Sequence, residues 1–157
     1  HIDYPIMQGK DNLEYINKDC FGKYSLAGSI FLDFKNDSSF SNDYNIIYGH
    51  HMAGGKMFGD LEKFMNINFF TKHLTGYLLI RDKVYRITFT RCFETSAYDK
   101  EVFSLDIDNS ARKFYNGVKT VALTTCKTTT DTNRTVLVGE LEEISKEQYV
   151  REYNGRN

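Results

Sequence analysis

The strongest constraint on how this chain can fold lies between positions 119 and 141. Two apolar, strand-like runs, Lys119 to Thr125 and Arg134 to Leu141, bracket Cys126 and the polar stretch Lys-Thr-Thr-Thr-Asp-Thr-Asn. Such runs joined by a short polar loop pair as a hairpin. The hairpin would bring Cys126 and Arg134 together at one rim of a sheet, where a substrate can approach. Aromatic residues make up 15% of the chain, with Phe and Tyr plentiful, Trp absent and one proline. Together with Ile, Val and Thr they favour pleated, half-buried surfaces, so the expected class is mainly β.

Further runs fit that class. Gly76 to Ile80 and Lys83 to Phe93 read as a second hairpin turning through Arg81-Asp82. In its second arm Tyr85, Ile87, Phe89 and Phe93 alternate with Arg86, Thr88, Thr90 and Cys92, which puts Cys92 on a polar face. Tyr4 to Met7, Ser29 to Phe34 and Tyr44 to His50 are strand-like, and 35–43 has the Asn/Asp/Ser chemistry of a loop. Asp11 to Ile16 reads as a helical turn capped by Asp11 or Asn12. Met57, Leu61 and Phe64, at i, i+4 and i+7, predict a helix, and Phe69–His73 a second. A third is expected over Asp108–Asn116, capped by Asn109 or Ser110 and ended by Gly117, just before the Cys126 strand. Many short strands with few helices predict one domain over residues 1–157, a closed or nearly closed β-barrel.

The net charge is −1 with no basic block, which argues against binding nucleic acid by neutralising phosphates. Three cysteines are an odd number, so at least one is unpaired within the chain. No CxxC or Cys/His spacing suits zinc, and no metal or other cofactor is implied. No apolar run approaches the roughly 18 residues that span a bilayer.

Three residues carry candidate chemistry. Cys126 can supply a thiolate, His50 in Ile-Ile-Tyr-Gly-His-His-Met a proton shuttle, and Arg134 a fixed positive charge for an oxyanion. The ordinary fate of a strand cysteine is burial. Alternation, however, puts Cys126 with Thr120, Ala122 and Thr124 on a small, more polar face, and Val121, Leu123 and Thr125 on the other, which would leave a nucleophile accessible. His50 and His51 leave the chain on opposite sides. The ordinary fate of Arg134 is a solvated strand-end charge, but its planar fork also suits an oxyanion. The backbone N–H of Lys127 could be a second donor. Cys20, Cys92 and His73 have no such company.

These surroundings resemble the sortases, the cysteine transpeptidases of Gram-positive cell surfaces, and class B most closely. Asp3-Tyr4-Pro5-Ile6-Met7-Gln8-Gly9-Lys10-Asp11-Asn12 and the Ala-Gly-Ser-Ile-Phe-Leu-Asp at 27–33 are similar to the family's early segment. Tyr48-Gly49-His50-His51-Met52 with Met57-Phe58-Gly59-Asp60-Leu61 is similar to its histidine segment. Leu123-Thr124-Thr125-Cys126, then Arg134 and Val136-Leu137-Val138-Gly139, is similar to its Cys–Arg hairpin. One departure is Ala122, where the family's threonine-leucine-x-threonine-cysteine pattern has Thr.

The resemblance implies His50, Cys126 and Arg134 as catalytic residues, favouring His50 over His51 because the family's histidine directly follows the glycine. It implies a barrel of about eight strands with a helix inserted before the nucleophile strand, and an extracellular fragment whose amino-terminal membrane anchor lies outside this chain. The implied reaction cleaves a sorting signal near the carboxyl end of a secreted protein after threonine, through a thioacyl enzyme. The acceptor would be an amine of the peptidoglycan cross-bridge or a lysine of a pilin, and the enzyme monomeric. Asn12, Ile16, Phe103, Thr124 and Lys127 are the groove residues it suggests. Asn12, Ile16, Phe103 and Thr124 also have ordinary readings: a capped turn, a core aliphatic, a core aromatic and a strand threonine.

Two other readings compete. In a hydrolytic cysteine protease of the papain type, Cys precedes His and sits on a long helix. Here His comes first and Cys ends a strand. A non-catalytic β-barrel that binds surface peptides would tolerate loss of Cys126.

Overall fold

The computed structural model describes residues 2–126 and 132–155, with Cys126 described by its backbone alone. Seven strands form one sheet: β1 (Ile6–Met7), β2 (Ile30–Leu32), β3 (Tyr44–His50), β4 (Thr75–Ile80), β5 (Lys83–Ser96), β6 (Thr120–Cys126) and β7 (Asn133–Ile144). Their order is β1-β2-β3-β6-β7-β5-β4. The expected mainly-β, barrel-like architecture is thus present as a half-barrel. Among the described residues it has seven strands where about eight were expected, with β1 and β4 at its two ends. Both hairpins form, β4–β5 and β6–β7. At its centre β3 runs parallel to β6.

Each face of the sheet carries a cluster. One packs Ile30, Leu32, Ile47, Val121, Leu123, Leu137 and Ile87 under Phe58 and Leu61. These last two come from the segment after β3, where the expected helix over Met57, Leu61 and Phe64 is a 3-10 stretch (Leu61–Met65), followed by α1 (Ile67–Phe70) near the second helix expected at Phe69–His73. Met57 adopts φ 54°, a conformation incompatible with a helix that includes it. The opposite face packs Tyr44, Ile46, Ala122, Val136 and Val138 under Val102, Phe103, Leu105 and Phe114.

That second cover is the stretch between β5 and β6. The continuous helix expected over Asp108–Asn116 is one 3-10 turn, Asn109–Ala111, preceded by the short α2 (Lys100–Phe103). A buried guanidinium explains why this stretch is ordered without a long helix. Arg112, 1% exposed, donates to Asn109 Oδ1 at 2.9 Å, Glu101 O at 2.5 Å and Ser104 O at 2.7 Å. It also lies 3.9 Å over the Tyr44 ring. Two of its acceptors are the main-chain carbonyls of residues 101 and 104, so this one side chain ties α2 and the segment after it to the 3-10 turn. The first turn, at Asp11, is capped as expected: Asp11 Oδ1 accepts from the N–H groups of Leu13 and Glu14.

The cover also corrects the expected open face of β6. Thr120, Ala122 and Thr124 are small because aromatic and aliphatic side chains pack onto them, and all three are buried. A second correction concerns Cys92. The register of β5 against β7 shifts between Phe89 and Arg91, a bulge that inserts one residue and exchanges the two faces. Cys92 therefore pairs with Leu137 and packs on the first cluster, while Phe93 turns to the second. Burial, then the nearby Glu94 carboxylate, pushes the Cys92 thiol up to about 12.

The carboxyl-terminal helix α3 (Lys146–Asn154) has no counterpart in the sequence-based expectations. Ser145 caps it by accepting from the Gln148 N–H. Tyr149 packs on Tyr77 with ring centroids 5.0 Å apart, and Glu152 accepts from Arg86 at 2.9 Å.

Candidate active site

The parallel β3–β6 ladder ends at His50 opposite Cys126. Directly paired residues of adjacent strands share a face and lie about 5 Å apart. The antiparallel β6–β7 ladder pairs Thr124 with Val136; carried two residues further, that register sets position 134 opposite position 126. On the other side of β7, Arg134 pairs with Thr95 of β5. Positions 50, 126, 134 and 95 thus form one row across four strands at one end of the sheet. They share the face covered by the 97–118 stretch.

His50 is half-buried, and its Nε2 lies 2.7 Å from the carbonyl oxygen of Ile16. The residue before it must be small: a Cβ on Gly49 would sit 2.7 Å from the Phe58 ring on the opposite face. Arg134 is half-buried, and its Nη1 donates to the carbonyl of Asn133 at 3.1 Å. The Thr95 hydroxyl donates to Asp99 at 2.6 Å, and the other Asp99 oxygen caps α2. The end of this row is thereby tied to the start of the cover.

Beside the row lies a groove of about 340 Å³ whose lining includes Asn12, Asp33, Tyr98, Asp99 and Phe103. Tyr48 connects the two. It sits two residues before His50 on the same face, about 7 Å along the strand. Its ring stacks between Phe31 and Phe103, at 5.3 and 6.5 Å. Its hydroxyl donates to Asp33 at 2.9 Å, and Asn12 donates to the same carboxylate oxygen at 2.8 Å. Asp33 is 3% exposed and balances its burial with these bonds and one from the Lys35 N–H.

Of the groove residues suggested by sequence, Asn12 and Phe103 line this groove. Ile16 meets the row through its carbonyl, on His50. Thr124 does not line the groove: it is fully buried between Tyr48 and Val136 in register. Lys127 lies outside the described residues. Tyr48 and Asp33 were missed, although period-2 spacing from His50 marks Tyr48 as sharing its face.

The other histidines and cysteines stand apart. His51 turns to the opposite side, where its Nε2 lies 3.4 Å from Glu62. His73 stacks on Phe69 at 3.9 Å and donates to that residue's carbonyl. Cys20 and Cys92 are free thiols outside the row. No cluster suited to a metal occurs among the described residues, and no helix among them is long and apolar enough to cross a membrane.

Comparison with known proteins identifies the family. The family model for the sortase domain matches residues 1–142. The chain is 33% identical to sortase B of Listeria monocytogenes over 89% of its own length, spanning 65% of that relative. Its fold matches a Streptococcus pyogenes class B sortase involved in pilus biogenesis with a TM-score of 0.77. That match has 38% identity and covers 90% of this chain and 86% of the other. A Staphylococcus aureus sortase B–substrate complex matches with a TM-score of 0.78 at 26% identity, covering 90% of this chain and 74% of the other. The half-barrel, the ordered segments and these likenesses converge: the chain belongs to the sortase family and, within it, to class B.

Proposed function

We propose that this protein is a cysteine transpeptidase of the bacterial cell envelope. It cleaves a carboxyl-terminal sorting signal after threonine and transfers the new carboxyl end to an amine of peptidoglycan or of a pilin. The observation that carries this reading is the β3–β6 ladder that sets position 50 opposite position 126, beside the β6–β7 register, which carried two residues past Thr124 and Val136 brings position 134 to the same row. A nucleophile, a proton shuttle and a permanent cation are the groups acyl transfer needs. The S. aureus relative, solved as a substrate complex, supports a peptide as the first partner.

The Cys126 thiolate attacks the threonine carbonyl carbon, and the C=O electron pair moves onto oxygen. Arg134 and the Lys127 N–H stabilise that oxyanion. The intermediate collapses, the C–N bond breaks, and His50 as imidazolium gives its proton to the departing amine. A thioester to Cys126 remains, with His50 neutral. The incoming amine attacks the thioester and loses a proton to His50, and the C–S bond breaks. Thiolate and imidazolium are restored, with one amide exchanged for another. Asn12, Phe103 and the Tyr48–Asp33 pair form the wall against which the signal lies.

A library of fluorogenic sorting-signal peptides, offered with and without amine acceptors, tests the reading. Cleavage accompanied by an amide-linked product, faster with acceptor present, is expected. Cleavage yielding only free acid under every acceptor would indicate a hydrolase, and binding without cleavage a recognition module.

A further inference from the structure

We infer that Gly28 is a positioning residue for His50, acting through the Ile16 carbonyl to select which imidazole nitrogen exchanges protons; this rests on the catalytic role proposed for His50. A carbonyl oxygen only accepts hydrogen bonds, so the Nε2 facing Ile16 O at 2.7 Å carries the hydrogen. In the neutral ring Nδ1 is then the bare nitrogen, and it is Nδ1 that takes a proton from an amine and returns it.

The carbonyl is held there by the way the turn crosses the chain at Gly28. Gly28 adopts φ +59°, and a Cβ on it would run into Ile16 O and come within 2.8 Å of Tyr15 O. Both obstacles are backbone atoms with no side-chain freedom to yield. Hydrogen bonds close the crossing on both sides of Ile16. The Ser29 N–H donates to Tyr15 O at 3.0 Å, the Ser29 hydroxyl to Lys18 O at 2.8 Å, and the Ser25 N–H to Asn17 O at 3.0 Å. Any side chain at 28 must push the Ile16 carbonyl, and with it the partner of the imidazole.

Gly22 supplies an internal control. It has φ +78° with nothing within 4 Å of a Cβ, so Gly22→Ala imposes comparable backbone strain without touching the carbonyl. Gly28→Asn is the complementary variant, because Asn tolerates the left-handed region while still placing a Cβ against Ile16 O.

The experiment is nitrogen-15 NMR of the His50 ring, assigned by its loss in His50→Ala, with peptide-cleavage kinetics on the same samples. In the wild type, neutral His50 should carry its proton on Nε2. Gly28→Ala and Gly28→Asn should lose that preference and lower kcat roughly ten- to hundredfold with KM little changed, as a displaced catalytic group does. Gly22→Ala should keep both tautomer and kcat. An Nδ1-protonated His50 in the wild type overturns the inference even if neither Gly28 variant folds. Wild-type tautomer and kcat in a folded Gly28 variant overturn it equally. If His50→Ala retained turnover, the catalytic reading itself would fail; the wrong tautomer in a protein whose His50→Ala is inactive would sink the Gly28 inference alone.

Discussion

Replacing Arg112 with Ala should loosen the cover that closes the active-site face. The side chain is 1% exposed and donates to the Glu101 and Ser104 carbonyls and to Asn109. Truncation orphans two carbonyls and an amide oxygen. At about 1–3 kcal/mol per group left unsatisfied, the gross cost is about 3–9 kcal/mol. A lost cation–π contact with Tyr44 adds about 2 kcal/mol. Against this stands the relief of no longer burying a guanidinium, worth several kcal/mol, and water that reaches some freed groups. A net loss of about 3 kcal/mol follows, which for a chain of this size lowers Tm by about 6–12 °C. Because Ser104 and Phe103 line the groove, KM for the signal peptide should rise as well. Arg112→Lys keeps the charge without the planar fork and should fall between. Urea unfolding and peptide kinetics on the three proteins give the answer. A loss below about 0.5 kcal/mol, the range of neutral surface changes, with KM unchanged, would refute the idea that this guanidinium organises the cover.

His50→Ala should remove turnover, whereas His51→Ala, whose ring faces Glu62 on the other side, should reduce it modestly; steady-state rates that reversed this order would contradict the face assignment of β3. Arg134→Lys should lower kcat by about 10² or more while leaving the thermal transition in place, because the charge stays but the fork is lost. Cys92 makes the fold alkali-sensitive, because burial pushes its thiol up from 9.0 to about 12. Above pH 9.0 the unfolded chain therefore binds fewer protons than the folded one, and stability falls as pH rises towards 12. Urea midpoints of the wild type should drop over that window more steeply than those of Cys92→Ala, and equal slopes would count against burial of the thiol.

Much of the sheet was legible because strand signals are local. Tyr44–His50 is an apolar run that ends at a glycine-histidine pair, and the β6–β7 hairpin is bracketed by its own loop chemistry. The misses arose where a distant contact overrode the local pattern. Nothing near position 90 announces a bulge, so strict alternation placed Cys92 on the wrong face. The 108–116 stretch has caps suited to a helix, yet Arg112 leaves the turn in an extended conformation (φ −85°, ψ 117°), its side chain bonding back to the Glu101 and Ser104 carbonyls, and only one turn forms. Thr124 seemed available because small polar residues on a strand resemble an open face; here they are small to admit Tyr48 and the cover. The helix at 146–154 did have a local signal, Ser145 followed by Gln148, the pattern of a capping box. At the site, the linear order His, Cys, Arg was visible in sequence. The Ile16 carbonyl on His50 and the Asp33–Tyr48–Asn12 cluster depend on contacts across 15 to 34 residues, which no local pattern encodes.

The central claim is that Cys126 carries an acyl group during turnover. Intact-protein and peptide mass spectrometry of the enzyme quenched in acid after mixing with a cleaved signal peptide tests it directly. A thioester-linked adduct on Cys126 is expected, absent from Cys126→Ala and discharged by an added amine with formation of a new amide. An adduct confined to Cys20 or Cys92, or undiminished cleavage by Cys126→Ala, would contradict the account.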